Sequence, residues 1–420
     1  MSKHFWHPFA DMHAVESGGE VVIDHGEGIH VVDEGGRRYI DATASLWYCN
    51  VGHGRTEIAD AAAFQMRRLA AYSTFGDLCN RPVLDLASRV AHVAPMPDSK
   101  IFFTSGGSDA IDTAVKLARR YWQVRGQRER TVVIGRTGSY HGMHLGGTAL
   151  GGIEGNRAGY GPLWTDTTHV AWDSVNALLQ TIDEIGPNRI AAFFCEPVIA
   201  AGGVFHAPPD YLGQVRAICR DHGILFVADE VVTGFGRVGD WFASTRFELE
   251  PDMITCAKGI TSGYLPLGAL VVAPTVAEPF FDGTAGMWRH GYTYSGHATA
   301  AAAALANLDI MVREDLPGRT RDLEPALPRT VGRLADHELI SEVRTGEGLL
   351  AAVQLDPALV ANDPGLPARV VLAARDTEVM TRTLATGAIH VSPPLIIDET
   401  GLEELTQRLG AALDQSLTTL

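Results

Sequence analysis

Cysteine is scarce and scattered. The five in 420 residues, Cys49, Cys79, Cys195, Cys219 and Cys256, form no C-x-x-C pair. An odd count in so long a chain argues against a disulfide framework. Positive charge is also short, 34 Lys and Arg against 50 Asp and Glu, for a net charge of -16. Nucleic acid and anionic membranes need clustered cations, so neither is an expected partner, although a local basic pocket for one phosphate is still allowed. No apolar run spans a bilayer, since the Ala-rich stretch Ala298 to Ala306 is too short and too weakly apolar. The stretch Met1-Ser2-Lys3-His4-Phe5-Trp6-His7-Pro8-Phe9 lacks the apolar core of a signal peptide. There is no internal repeat, charge run or low-complexity linker. A cytoplasmic enzyme is the expectation.

What is present reads as an ordinary globular protein, with 46% hydrophobic and 20% charged residues. Its length exceeds what one core usually serves, so two domains are expected. Residues 1–54 form a first unit. Strands are expected at Glu20–Ile23 and Ile29–Val32, with Gly26, Gly28, Gly35 and Gly36 at turns, followed by Arg38–Asp41 and an aromatic loop from Leu46 to Gly54.

From 55 to 310 helices alternate with apolar runs. Strands are expected at Lys100–Thr104, Thr131–Ile134, Ile190–Cys195, Ile224–Ala228, Met253–Ala257 and Ala269–Val272. Most are continuously apolar rather than alternating, which fits a mostly parallel α/β sheet covered by helices on both faces. Residues 311–420 read as α+β. A helix spans Leu402–Leu413, and another over Arg319–Leu334 is broken or kinked by Pro325 and Pro328. Gly348–Val353 and His390–Ile397 read as strands, Pro393 and Pro394 placing the second at an edge. Both terminal units are expected to join into one small domain.

Five stretches carry chemistry, each ending a strand of the α/β block. Ser105-Gly106-Gly107-Ser108-Asp109 precedes a helix, where backbone N–H groups and glycines suit a phosphate; Ser108 is its candidate N-cap. The stretch is neither G-x-G-x-x-G nor a P-loop, so no dinucleotide or nucleoside triphosphate is indicated. Tyr140, between Ser139 and His141-Gly142, can stack on a planar ring or be a simple loop tyrosine. His141 and His144 lack an evident third metal ligand. Cys195-Glu196-Pro197 adds a carboxylate. Asp229-Glu230 ends a buried run, where Asp229 suits a protonated ring nitrogen or caps the next turn, and Val231 can pack under a ring. Lys258 ends Met253–Ala257, with Gly259, Gly263 and Gly268 after it, as a surface lysine or an amine able to form a Schiff base. Phosphate cradle, stacking ring, carboxylate, apolar packer and lysine together are what pyridoxal phosphate requires.

These stretches, with Leu46-Trp47 through Gly54, Phe102–Asp109, Glu196-Pro197-Val198, Asp229–Arg237, Ala257–Pro266 and Tyr292–His297, resemble the class III (omega) pyridoxal-phosphate aminotransferases over nearly the whole chain. The likeness is strongest to the omega-amino acid and amine:pyruvate transaminases. The resemblance implies the aspartate aminotransferase-like fold and a homodimer, or a tetramer, with shared active sites. It implies that Lys258 holds the cofactor as a Schiff base and that Asp229 pairs with the ring nitrogen. Val231 and Tyr140 sandwich the ring, Gly107 and Ser108 bind the phosphate, and Glu196 lies near the cofactor. Thr293 reaches the phosphate of the neighbouring subunit, and Trp47 and Phe9 wall the substrate pocket.

One departure concerns the arginine the family often places in an Arg-x-x-Gly stretch to hold the acceptor carboxylate. Counting back from Gly387 puts Leu384 there, and Arg382 is the nearest candidate, which is otherwise a solvated surface arginine. The expected reaction is ping-pong transfer of an amino group from an amine or omega-amino acid to a keto acid such as pyruvate. Racemisation, decarboxylating transamination and a merely cofactor-binding relative remain the alternatives.

Overall fold

The computed structural model describes residues 4–418, so the first three residues of the Met1–Phe9 stretch and the last two of the 311–420 unit lie outside the described residues. A seven-stranded sheet forms the centre. Its order across the sheet is Lys100–Thr104, Gly268–Val272, Met253–Cys256, Leu225–Asp229, Ile190–Cys195, Val132–Arg136 and Thr167–Val170. Gly268–Val272 runs antiparallel to both neighbours, and the other pairs are parallel. The continuous apolar runs explain it: every residue of Ile190–Cys195, Leu225–Asp229 and Met253–Cys256 is buried. Thr167–Val170 escaped the sequence reading because it is an edge strand, Thr-Thr-His-Val, half-buried for three of its four residues.

Three expectations shift. The first hairpin is Ile23–Glu27 with His30–Asp33, turning at Gly28 with φ +58°. Gly26 therefore lies inside a strand; it is glycine because a Cβ there would sit 2.7 Å from His53 Cβ. Ser108 is not the N-cap. Gly106 holds that place, and the helix runs Gly107–Val124. Leu46–Trp47 belongs to a tight kinked turn, Ala44–Trp47, with non-helical backbone at Ser45 and Leu46, rather than an open loop. The proline-interrupted region breaks as its sequence requires, into helices Leu316–Leu323 and Ala326–Thr330 and a 3-10 turn Val331–Asp336. Ile389–Val391 is the edge of a three-stranded sheet with Ala351–Leu355 and Ile340–Thr345, and Pro393 and Pro394 follow it.

Distant segments of the chain meet. Val379–Met380 pairs in parallel with Arg38–Asp41, so a strand from the last hundred residues completes the sheet of the first fifty-four. A buried arginine then ties both to the large sheet. Arg237 donates to the carbonyls of Pro393 (2.6 Å) and Leu349 (3.3 Å) and to Asn50 Oδ1 (2.8 Å), while Asn50 Nδ2 donates to the Phe235 carbonyl (2.7 Å). Burial pushes Arg237 down to about 10. Among the described residues no helix is long and apolar enough to cross a membrane.

Asn50→Ala would remove one acceptor from a buried guanidinium and one donor from a buried carbonyl. We expect a loss of about 2–3 kcal/mol in unfolding free energy, read from the urea midpoint.

Candidate active site

Parallel pairing aligns Asp229 with Thr255, three residues before Lys258. Asp229 is 4% exposed, so its carboxylate needs donors. Oδ1 accepts from Thr255 Oγ1 (3.1 Å) and from the Val231 N–H (3.1 Å), and Oδ2 faces His141 Nδ1 at 2.7 Å. The Val231 bond is the expected turn cap, and His141 and Thr255 fix the rest of the carboxylate. His144 is turned elsewhere, onto Asp109 at 2.7 Å, so the two histidines serve different carboxylates.

Lys258 follows the neighbouring strand with φ +45°. Its loop is pressed against the rest of the site, which explains the glycines after it. A Cβ at Gly259 would stand 2.5 Å from Asn50 Nδ2, and one at Gly263 2.1 Å from the Tyr48 ring. Burial pushes the Lys258 amine down to about 8, against an opposing pull from Asp229. About a tenth of the amine is therefore neutral and nucleophilic at pH 7, far more than of an ordinary lysine.

The candidate phosphate cradle is the start of the helix Gly107–Val124. A Cβ at Gly107 would meet Val231 Cγ1 at 3.0 Å, so the glycine lets Val231 close over the helix terminus. Ser108 Oγ accepts the Met143 N–H (3.1 Å), and Gly142 is glycine because a Cβ there would strike Ser108 Oγ at 2.4 Å. Tyr140 donates its N–H to Glu196 Oε1 (2.8 Å), while Glu196 Oε2 accepts from Ala200 (3.2 Å). Glu196 therefore pins the Tyr140 loop through its backbone. Burial raises both the Glu196 carboxyl and the Tyr140 hydroxyl.

Trp47 forms the opposite wall. Its ring centre lies 5.1 Å from Lys258 Nζ, 4.3 Å from Arg382 Cζ and 4.3 Å from the His390 ring. Arg382 is inside the site rather than on the surface. It stands across from His390, whose N–H donates to the Arg382 carbonyl (3.0 Å). Burial pushes the guanidinium down to about 10, and its Nε has no hydrogen-bond partner. Leu384, the position counted from Gly387, is buried in the apolar cluster that includes Trp47 and carries no polar group.

Two expected residues are not brought to Lys258 within this chain. Phe9 is 75% exposed. Thr293 lies with Tyr72, Phe75, Tyr294 and His297 around a surface hollow. The sequence reading missed three residues of the site. His141 was weighed only as a metal ligand, although its place beside Tyr140 was the available signal. His390 and Asp41 gave none.

The donor set fits pyridoxal phosphate: an amine held largely out of water, a carboxylate fixed from three sides, and a helix terminus where glycine at 107 leaves room for Val231. We expect Gly107→Ala to raise the dissociation constant for pyridoxal phosphate about tenfold, since its methyl would displace Val231; a spectroscopic titration of the cofactor-free protein checks this.

The profile of the family described as "Aminotransferase class-III" matches residues 13–413. The putrescine–pyruvate aminotransferase of Pseudomonas aeruginosa is 36% identical to this chain, over 98% of the chain and 94% of the relative. A transaminase from the marine bacterium Virgibacillus superposes with a TM-score of 0.95 at 39% identity, covering 99% of this chain and 98% of the other. An (S)-enantioselective omega-transaminase from Thermomicrobium roseum gives a TM-score of 0.95 at 36% identity, covering 99% and 97%. The chain belongs to the class III aminotransferases, enzymes that depend on pyridoxal phosphate.

Proposed function

We propose that this enzyme moves an amino group from a primary amine or omega-amino acid to a small keto acid, pyruvate foremost, in two half-reactions. The observation that carries the reading is Arg382: a half-buried cation, its Nε unpartnered, over the same Trp47 ring as the Lys258 amine. A guanidinium so placed suits the carboxylate of a keto acid, while Trp47 offers an apolar face to a donor that has none. The relatives named for pyruvate acceptors agree with this reading, and none favours racemisation.

Lys258 supplies the covalent attachment point and then, once free, carries a proton to and from the substrate carbon next to the nitrogen. When bound, pyridoxal phosphate accepts the electron pair left on that carbon. Asp229, held in place by His141 and Thr255, would keep the ring nitrogen protonated. Tyr140 and Val231 would hold the ring between them. Gly107 and Ser108 at the helix terminus would hold the phosphate. Glu196 keeps Tyr140 in place.

Phe9 and Thr293 take their roles in a homodimer, from the partner's side of a shared site. Tyr72, Phe75 and Tyr294, all over half exposed around the Thr293 hollow, are the apolar surface that a second copy would cover. All five cysteines are free, which suits a reducing compartment, the cytoplasm.

The purified enzyme is expected to convert pyruvate to alanine with a panel of primary amines; failure with every amine and omega-amino acid would leave the reading without support. Arg382→Leu should reduce kcat/KM for pyruvate by about a hundredfold while changing that for an aldehyde acceptor by less than about threefold.

The rate at which the cofactor-free protein takes up pyridoxal phosphate covalently should follow the neutral amine. It should rise with pH to a midpoint at about 8 and fall below it as Lys258 gains its proton. Lys258→Ala should show no covalent uptake at any pH, followed by the cofactor's absorbance.

A further inference from the structure

Trp47 touches every basic group of the substrate side, yet its own backbone is in an unfavourable state. Within four residues, Ala44 (φ +45°), Ser45 (φ +58°) and Trp47 (φ +62°) all adopt left-handed backbone. None is glycine, and in each the Cβ is crowded by its own chain. Ser45, with ψ -79°, lies outside even the ordinary left-handed helical region. Left to itself, this stretch would relax and carry the indole elsewhere.

One carboxylate opposes that relaxation. Asp41 ends the strand Arg38–Asp41 and is 2% exposed. Its Oδ2 accepts the N–H of the strained Ser45 at 2.7 Å and faces His53 Nε2 at 2.9 Å. Its Oδ1 accepts the Thr43 N–H at 3.1 Å, and the Thr43 hydroxyl, 3.2 Å away, also reaches the Ser45 carbonyl at 2.8 Å. The Thr43 carbonyl in turn accepts the N–H of Trp47 at 2.9 Å. The chain of bonds runs without a gap from Asp41 to the residue that bears the indole.

The same strand end also locates the other wall. Met380 pairs with Asp41, and the Ala42 N–H bonds the Met380 carbonyl (3.0 Å), two residues before Arg382. Asp41 thus stands at the common root of the Trp47 turn and the Arg382 segment. The indole itself has no anchor: Trp47 Nε1 is buried without a hydrogen-bond partner. Its place is set by its backbone and by packing against His390, whose two ring nitrogens are also unpartnered.

We infer that Asp41 is a positioning residue for substrate discrimination: it holds the strained Thr43–Trp47 turn, and through it presents the Trp47 indole to the donor beside Arg382. This rests on the transaminase reading and on Trp47 as a substrate wall. Asp41 touches neither Lys258 nor the groups assigned to the cofactor, so it acts on substrate binding and leaves proton transfer alone. Neutralising it weakens the hold on Ser45, and glycine at residue 45 restores the turn by removing the crowded Cβ.

The test is a set of holoenzyme variants assayed with an aromatic amine and pyruvate. Asp41→Asn is expected to raise KM for the amine about tenfold while kcat changes by less than about threefold. The fluorescence owed to Trp47, taken as the difference from the same protein carrying Trp47→Phe, should shift to the red. Adding Ser45→Gly to Asp41→Asn should return KM to within about threefold of the parent, because glycine needs no carboxylate to hold left-handed backbone. If Asp41→Asn is insoluble, His53→Ala, which strips one partner from Oδ2, should show the same KM effect in smaller measure.

Unchanged KM and unchanged Trp47 fluorescence in both Asp41→Asn and His53→Ala would overturn the inference. So would a loss confined to kcat, or a KM defect that Ser45→Gly does not relieve. A parent enzyme that transfers no amino group would instead overturn the functional reading, and the fluorescence shift and its glycine rescue would still report on the turn.

Discussion

A carboxylate buried at the end of a parallel strand must be surrounded by donors, and the large domain is arranged around that need at Asp229. Thr255 supplies one donor from the adjacent strand because the two strands pair in register. His141 supplies another from the loop after Val132–Arg136, and the Val231 N–H a third. Each donor sits on a separate segment, so satisfying one carboxylate aligns three strand ends. The same alignment fixes Lys258, three residues past Thr255, and places Val231 against Gly107. The chemistry of the site is thereby a consequence of hydrogen-bond accounting in a sheet with little water.

The substrate side obeys a different logic, that of cations without carboxylates. The two terminal nitrogens of Arg237 bond two carbonyls and an amide oxygen, although its Nε has no partner, and so it joins three parts of the chain without carrying a counter-charge into the site. Arg382 is not satisfied in that way. Its guanidinium lies on the Trp47 face, where the ring's negative face compensates part of the lost hydration. His390, buried beside it, is held well below its ordinary value first by desolvation and then by Arg382, Arg237 and Lys258. It therefore stays neutral, and no second positive charge competes for an incoming anion.

Much of this was legible in the sequence for physical reasons. Continuous apolar runs identify strands buried on both faces, and a polar residue ending such a run must have a purpose, which exposed Asp229, Glu196 and Lys258. Glycines whose Cβ would strike a neighbour, at 107, 142, 259 and 263, marked the close approaches. What stayed hidden depends on contacts between distant segments. His141 and Asp41 act through bonds to residues 88 and up to 12 positions away, which no local pattern encodes. The edge strand Thr167–Val170 carries almost no apolar signal. The Arg-x-x-Gly count points to Leu384, which lies in a turn where its N–H bonds the Ala388 carbonyl and the Gly387 N–H bonds the Leu384 carbonyl. Arg382, two residues earlier, is the arginine whose side chain lies on Trp47, a contact no spacing rule encodes.

These two logics meet at Lys258. Desolvation lowers its affinity for a proton, Asp229 opposes that, and Arg382 reinforces it. An anion that pairs with Arg382 would weaken that reinforcement and raise the lysine's affinity for a proton. A donor lacking a carboxylate would leave Arg382 on Trp47 and the lysine at its lower value. An anion bound at Arg382 would thus couple substrate charge to proton transfer through the field of one guanidinium. The strength of that coupling depends on how firmly the indole holds the guanidinium, and so on the backbone turn that aims Trp47.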